Sequence, residues 1–347
     1  SFQLGAVDRY VVTDKLTSTY GYDLDLNTSF NGNDNLYVGI EAGNSGLTQV
    51  DFTTDNSNYG SNELKITSLF YSFERGLVDF ALGPHLEVDD LMPTITTKYS
   101  DSFYMGSQPV LDSNFYVMQG TGPGIALSTE LENGINFSGS VIGTGADSTS
   151  GFLTDEGLDV ITFSFGYNSD NYGGGIIYHK ADSSCNLVNE IASSIATIDV
   201  CNDLGVSALA DEGYTAFSIG GYWSPDEGKT TFSVTSNTLD TSVQGFEVDQ
   251  ITDYQISIER EFESGTLSAS WKTFPFFRVP DANKSVIKSD DLGSHAEIYY
   301  THRINDSLEI KPGITFAMPT GTSTTPTNDD VAFYIYDRTA IGVETIF

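Results

Sequence analysis

The strongest constraint on the fold is a period of two, held over segments of about ten residues and broken by alternately short and long connections. Tyr22, Leu24, Leu26, Thr28 and Phe30 alternate with Asp23, Asp25, Asn27 and Ser29. Ile161, Phe163, Phe165 and Tyr167 alternate with Thr162, Ser164, Gly166 and Asn168, and Tyr254, Ile256 and Ile258 with Asp253, Gln255, Ser257 and Glu259. Successive side chains of a strand point to opposite faces, so each segment has one apolar and one polar face. Ordinary strands run to about 5–6 residues, whereas about ten suits a tilted strand that crosses a membrane.

Tight turns fall near Asn31-Gly32-Asn33-Asp34, Arg75-Gly76, Asn133-Gly134, Ser169-Asp170, Asp226-Glu227-Gly228, Ser264-Gly265 and Asn305-Asp306. Most contain the Gly, Asn or Asp that hairpins require. Between the hairpins lie polar connections at 44–61, 89–120, 144–157, 182–212, 240–247, 277–290 and 318–330. A soluble sandwich has no reason to sort its loops by length. A closed membrane barrel does, with short turns at one end and long loops at the other. The pattern predicts an all-β, antiparallel transmembrane barrel of about sixteen strands in one unit, 1–347. The strands are expected at 3–12, 16–30, 35–43, 62–74, 77–88, 121–132, 134–143, 158–168, 171–181, 213–224, 228–239, 248–262, 265–276, 291–303, 306–317 and 331–347.

Composition narrows the function. Lys plus Arg number 15 against 48 Asp plus Glu, a net charge of −33. That excludes a nucleic-acid partner, which needs a basic face, and a polybasic membrane-surface protein. No run of about 18 apolar residues exists, so no transmembrane helix is expected. Ser1 is not a start methionine, and a processed or trimmed chain is expected. Two cysteines make no disulfide framework, but Cys185 and Cys201 flank a candidate helix at 186–200 and can close a loop across it. Metal binding there is not expected, since the nearest histidine is His179. The four histidines sit in no hydrolase or nucleotide motif, and His302 with Ser307 is too common a pairing to imply catalysis. A non-enzymatic chain without a cofactor is expected. The acidic pairs Asp290-Asp291 and Asp329-Asp330 lack the spacing of a defined calcium site.

Two features point to an outer membrane. Among 22 Phe, 19 Tyr and 2 Trp, those near short turns are Phe30, Tyr37, Phe73, Phe80, Tyr167, Tyr172, Trp223, Phe232 and Phe262, as an interfacial girdle demands. The last strand alternates up to a terminal Phe347, which resembles the signature by which bacterial outer-membrane barrels are recognised for assembly.

The stretch Leu26-Asn27-Thr28-Ser29-Phe30-Asn31-Gly32-Asn33-Asp34-Asn35-Leu36, continuing to Ala42-Gly43-Asn44, resembles the first clear hairpin of cyanobacterial outer-membrane porins. That family usually carries an N-terminal S-layer-homology segment, which this sequence does not show. The resemblance implies a homotrimer in the outer membrane, in contact with lipid, that passes inorganic ions and small hydrophilic solutes. It also implies that the loop at 89–120 folds inward as a constriction. That loop holds Asp89, Asp90, Asp101 and Asp112, with Lys98 as its only base, and apolar groups such as Met92, Tyr99, Phe103 and Met118. Alternation puts Lys272, Lys311 and Arg338 on the lumenal face, with Arg303 expected there too and Lys65 able to face either way. Such a basic wall opposite an acidic loop would set up a transverse field. The alternative is isolated lumenal charges paired with Glu297, Glu309 and Glu344. The acidic excess favours cation preference. Three other readings stay open: a carbohydrate-selective porin with an aromatic track at Tyr222, Tyr299, Tyr334 and Tyr336, a soluble acidic β-sandwich that binds a partner, and a plugged receptor or adhesin barrel.

Overall fold

The computed structural model describes residues 2–7, 16–43, 64–99, 117–118, 120–144, 159–182, 213–226, 228–240, 250–275, 277–280, 292–305, 307–318, 330–333 and 338–346. In chain order the strands are β1 (Phe2–Val7), β2 (Leu16–Thr28), β3 (Asp34–Gly43), β4 (Lys65–Arg75), β5 (Val78–Glu87), β6 (Thr121–Glu130), β7 (Ile135–Gly143), β8 (Asp159–Asn168) and β9 (Tyr172–Ala181). They continue as β10 (Tyr214–Trp223), β11 (Thr230–Asp240), β12 (Gln250–Phe262), β13 (Gly265–Pro275), β14 (Phe277–Pro280), β15 (Leu292–Asn305), β16 (Leu308–Met318), β17 (Asp330–Phe333) and β18 (Arg338–Ile346). Sixteen of these form one closed antiparallel barrel, in which each wall strand pairs with its neighbours in the chain and β1 closes the ring between β2 and β18. The soluble sandwich is thereby set aside.

The wall strands follow the alternating segments closely, and one expectation needs correction. The first strand is described at Phe2–Val7, and 8–12 of the segment expected at 3–12 lie outside the described residues. The segment expected as one strand, 331–347, is divided. Arg338–Ile346 enters the wall against β1 and β16, while Asp330–Phe333 pairs with Phe277–Pro280 in a separate two-stranded sheet. Seventeen residues exceed what the wall needs, since about 9–11 cross a bilayer, and the surplus pairs beyond it. The candidate helix at 186–200, Cys185, Cys201, Phe347 and the acidic pairs near 290 and 329 lie outside the described residues or side chains.

The barrel is inside out relative to a soluble protein. Its exposed large side chains are apolar and face outward: Leu24, Leu82, Ile125, Phe163, Phe165, Ile219, Val234, Ile256 and Ile298 among them. Its buried side chains are mostly polar and lumenal: Ser140, Thr162, Ser164, Ser218, Thr235, Gln255 and Ser270 among them. Lipid tails are the solvent that makes such an outer surface stable, and closure leaves no unpaired edge in the hydrocarbon. Near the short turns the outward aromatics pack in pairs. Phe73 stacks on Phe80 at 5.4 Å, Tyr167 on Tyr172 at 5.6 Å and Trp223 on Phe232 at 5.9 Å. Tyr37 departs from the girdle: it shares a face with Asp25, to which its hydroxyl donates.

The first hairpin shows why its turn motif has that sequence. The Asp34 carboxylate accepts from Ser29 Oγ at 2.5 Å and from the N–H groups of Phe30 and Asn31 at 2.9 and 3.0 Å, while Tyr71 donates to its second oxygen at 2.6 Å. One carboxylate thus satisfies the turn backbone and ties it to β4.

Candidate functional site

The site is the lumen, and residues 88–99 shape it. After β5 the chain turns inward and runs as a strap along the inner wall. Near the long-loop end Ser140 Oγ donates to the Val88 carbonyl at 3.4 Å. Farther down, Asn168 Nδ2 donates to the Pro93 carbonyl at 2.8 Å, and Thr94 Oγ1 lies 2.8 Å from Asn136 Oδ1 and 2.6 Å from Ser164 Oγ. Asn168 ends β8 beside a short turn, so the strap descends through most of the barrel's height. It then crosses β10 and β11, where Thr235 Oγ1 donates to the Thr96 carbonyl at 3.4 Å and the Lys98 N–H donates to Ser233 Oγ at 3.1 Å. Tyr99 finally donates to Glu297 Oε1 at 2.5 Å on β15.

Glycines make this path available. Gly166, Gly175 and Gly220 face the lumen side by side on β8, β9 and β10. A Cβ on Gly175 would lie 2.3 Å from Thr94 Cγ2, and one on Gly220 would lie 2.3 Å from the Thr96 carbonyl oxygen. A glycine within a strand often marks such a close approach. These three positions, breaking an otherwise Ser- and Thr-rich polar face, are the signal in the sequence that could have located the strap.

The root of the strap is dry. Leu86, Val88 and Val117 are almost fully buried, as are the lumenal Ile142, Val160, Ala181 and Tyr214, which pair in register around the long-loop end of β7–β10. His179 bonds to the Val117 backbone, and its ring nitrogens lie 2.9 Å from Thr162 Oγ1 and 3.1 Å from Tyr214 Oη.

The sequence-derived site residues fall in distinct situations. Asp89 and Asp90 stand where the strap leaves β5, and the Glu87 N–H donates to Asp90 Oδ2 at 2.7 Å. Lys98 places its ammonium 4.4 Å from the centre of the Tyr222 ring. Asp101 and Asp112 lie outside the described residues. Lys272 is lumenal and buried, with its ammonium 3.5 Å from the equally buried Asp253 carboxylate. Lys311 sits 5.3 Å above the Tyr299 ring. Arg303 has lumenal register but lies at the rim, where it is exposed and bonded to Glu309 at 3.2 Å. Arg338 pairs with Ala317 in the backbone register, and its side chain is outside those described. Lys65 pairs with Glu41 beside the outward Ile66, which puts it on the lumenal face. Tyr222 and Tyr299 are buried beneath lysines, and Tyr334 and Tyr336 lie outside the described residues. His302 Nδ1 lies 3.0 Å from the Ser264 carbonyl, so this nitrogen carries the proton and donates, while the Ser307 N–H is bonded to Asn305.

The strap covers one side of the lumen. Lumenal groups on β7–β13 are mostly buried, down to Asn136 near the short turns, with Glu261 exposed at the end of β12. On β2–β6, by contrast, Asp25, Asn27, Glu74, Asp79 and Glu130 share the lumenal face and remain exposed. Sequence reading did not single out these four carboxylates. Their common side follows from register, since Glu74 pairs with Asp79 and Asp79 with Ser128.

Burial pushes the Asp90 carboxyl up to about 6; the Glu87 N–H opposes this and the Asp89 charge adds to it. A raised carboxyl pKa means the fold favours the protonated form. The stabilisation is fully present below the ordinary value near 4 and is lost as pH rises through about 6. Once the intrinsic pH dependence of exchange is removed, protection of the amides at 87–92 is therefore expected to fall between about pH 4 and pH 6 in the native protein. Asp90→Asn should flatten that change and slow exchange at the higher pH by an amount of order 1 kcal/mol.

The fold is that of outer-membrane porins. OmpT of Vibrio cholerae, in its trimer form, superposes with a TM-score of 0.55 at 10% identity, covering 100% of this chain and 98% of that one. A triple mutant of the Rhodopseudomonas blastica porin gives a TM-score of 0.54 at 10% identity, over 99% and 96% of the two chains. No family profile matches the sequence, and no curated protein matches it.

Proposed function

We propose that this chain is an outer-membrane porin, a passive diffusion channel for inorganic ions and small hydrophilic solutes that prefers cations. The observation that carries this reading is a polar lumen only half covered by its strap, with exposed carboxylates along the uncovered wall. Sixteen strands enclose enough room for an aqueous passage. Solutes move down their gradients, and the inward strap sets the size limit. Glu74, Asp79 and Glu130 lie on the neighbouring strands β4, β5 and β6, close in register and within the roughly 8–10 Å over which charges act before salt screens them, and Asp25 shares their face on β2. They raise the local concentration of cations and repel anions. Lys272 weakens that field little, because the Asp253 carboxylate offsets its charge, whereas Lys98 and Lys311 keep their charge over neutral rings and oppose it in part.

The trimeric state of OmpT supports a homotrimer, and the first-hairpin motif supports a place among cyanobacterial porins. A carbohydrate-selective channel is the second reading, favoured by the Tyr37–Phe70 ring pair at 5.0 Å on the lumenal face. Reversal potential under a potassium chloride gradient, combined with liposome swelling in sugars, separates the two. A cation-selective potential with swelling graded only by solute size is expected. Saturable, sugar-specific flux would favour the second reading.

A further inference from the structure

We propose that Tyr37 and Asp25 form a weak binding site for organic ammonium cations on the uncovered wall of the lumen. This rests on the channel reading above and adds a solute class to it. Tyr37 stands on β3 directly between Asn27 on β2 and Phe70 on β4, and all three share the lumenal face. Asp25 lies on the same face of β2, nearer the long loops and opposite Gly39. The Tyr37 hydroxyl donates to the Asp25 carboxylate, and its ring packs on Phe70 at 5.0 Å with the planes 31° apart. Asn35 Nδ2 donates to Asn27 Oδ1 at 2.8 Å and completes the polar edge.

This arrangement suits an alkylated ammonium group. The face of an aromatic ring carries negative potential, and donation to a carboxylate makes a phenol richer in electrons. Beside the ring stands a full negative charge that stays open to the lumen, since Asp25 is exposed. An alkylammonium ion is weakly hydrated and gains from ring and carboxylate together, whereas potassium gains mainly from the charge. A sugar ring needs a broad aromatic platform, but Phe70 is only 8% exposed and serves as backing for Tyr37. Lys65, the base in lumenal register on β4, stands at the start of that strand opposite Glu41. Glu74 and Asp79, farther toward the short turns, extend the same negative wall. A conducting pore must release what it attracts, so binding here is weak and rapidly reversible.

The test is single-channel current in potassium chloride as tetramethylammonium chloride is added, for the full chain and for Tyr37→Leu, Tyr37→Phe, Asp25→Asn and Glu130→Gln. The native channel should be blocked in a saturable way. Tyr37→Leu and Asp25→Asn should each raise the half-blocking concentration roughly two- to five-fold. Tyr37→Phe keeps the ring and should stay within about two-fold of the native value. Glu130→Gln removes a charge from the same wall away from the rings, so it should raise that concentration less than Asp25→Asn does. If Tyr37→Leu fails to insert, the comparison of Asp25→Asn with Glu130→Gln carries the test. Native block in Tyr37→Leu, or equal effects of the two carboxylate variants, would overturn the site while leaving the channel intact. Block of the native channel by glucose as strong as by tetramethylammonium would overturn it in favour of a sugar site. Absence of current steps from the native chain would overturn the channel reading, and the site with it.

Discussion

Replacing Lys272 with methionine should lower the unfolding free energy by about 3–5 kcal/mol, because it leaves a buried carboxylate without its counter-charge. Asp253 is fully buried. Asn237 Nδ2 donates to its Oδ1 at 2.8 Å, and the Lys272 ammonium lies 3.5 Å from Oδ2. Gln255, directly opposite Lys272, spends its amide on Ser270 Oγ at 2.9 Å. His295, directly opposite Lys272 on β15, is bonded through Nε2 to Thr315 Oγ1. The double replacement Lys272→Met with Asp253→Asn should recover most of the loss, since it removes both charges together. Urea unfolding in lipid vesicles, followed by tryptophan fluorescence, measures all three. A Lys272→Met protein as stable as the native one would mean that this pair does not hold the inner wall together.

The second large effect is on the outer surface. Phe163 lies mid-way along β8, points outward and is 56% exposed. Phe163→Arg should cost about 2–4 kcal/mol, the cost of a basic side chain at the bilayer midplane. Glu130→Arg, on the exposed lumenal face at the short-turn end, should change stability by no more than about 0.5 kcal/mol. It should nonetheless shift the reversal potential toward anions. Equal losses from both substitutions would argue against lipid outside and water inside.

Much of this architecture is readable in the chain because its causes are local. Alternation within Ile161–Tyr167 decides which side chains meet lipid, and Gly, Asn and Asp fix the short turns. What is not local is harder to read. The Asp253–Lys272 pair and the Glu74, Asp79 and Glu130 wall depend on register between strands, which one sequence leaves free to slide. The strap has no period at all. Its apolar residues suggest burial, but the partners Asn136, Ser164, Ser233 and Glu297 come from four different strands. The division of 331–347 is hidden for the opposite reason: the alternation continues past the point where the wall ends. Arg303 illustrates the alternative reading of the basic residues, paired with Glu309 rather than facing an acidic loop.

The most direct test of an open lumen is current through a planar lipid bilayer containing the purified chain. Stable, stepwise and ohmic currents in potassium chloride are expected, with a reversal potential of the sign given by cation preference. A silent bilayer, with the folded barrel shown to be inserted, would contradict a water-filled passage and point to a lumen closed from wall to wall.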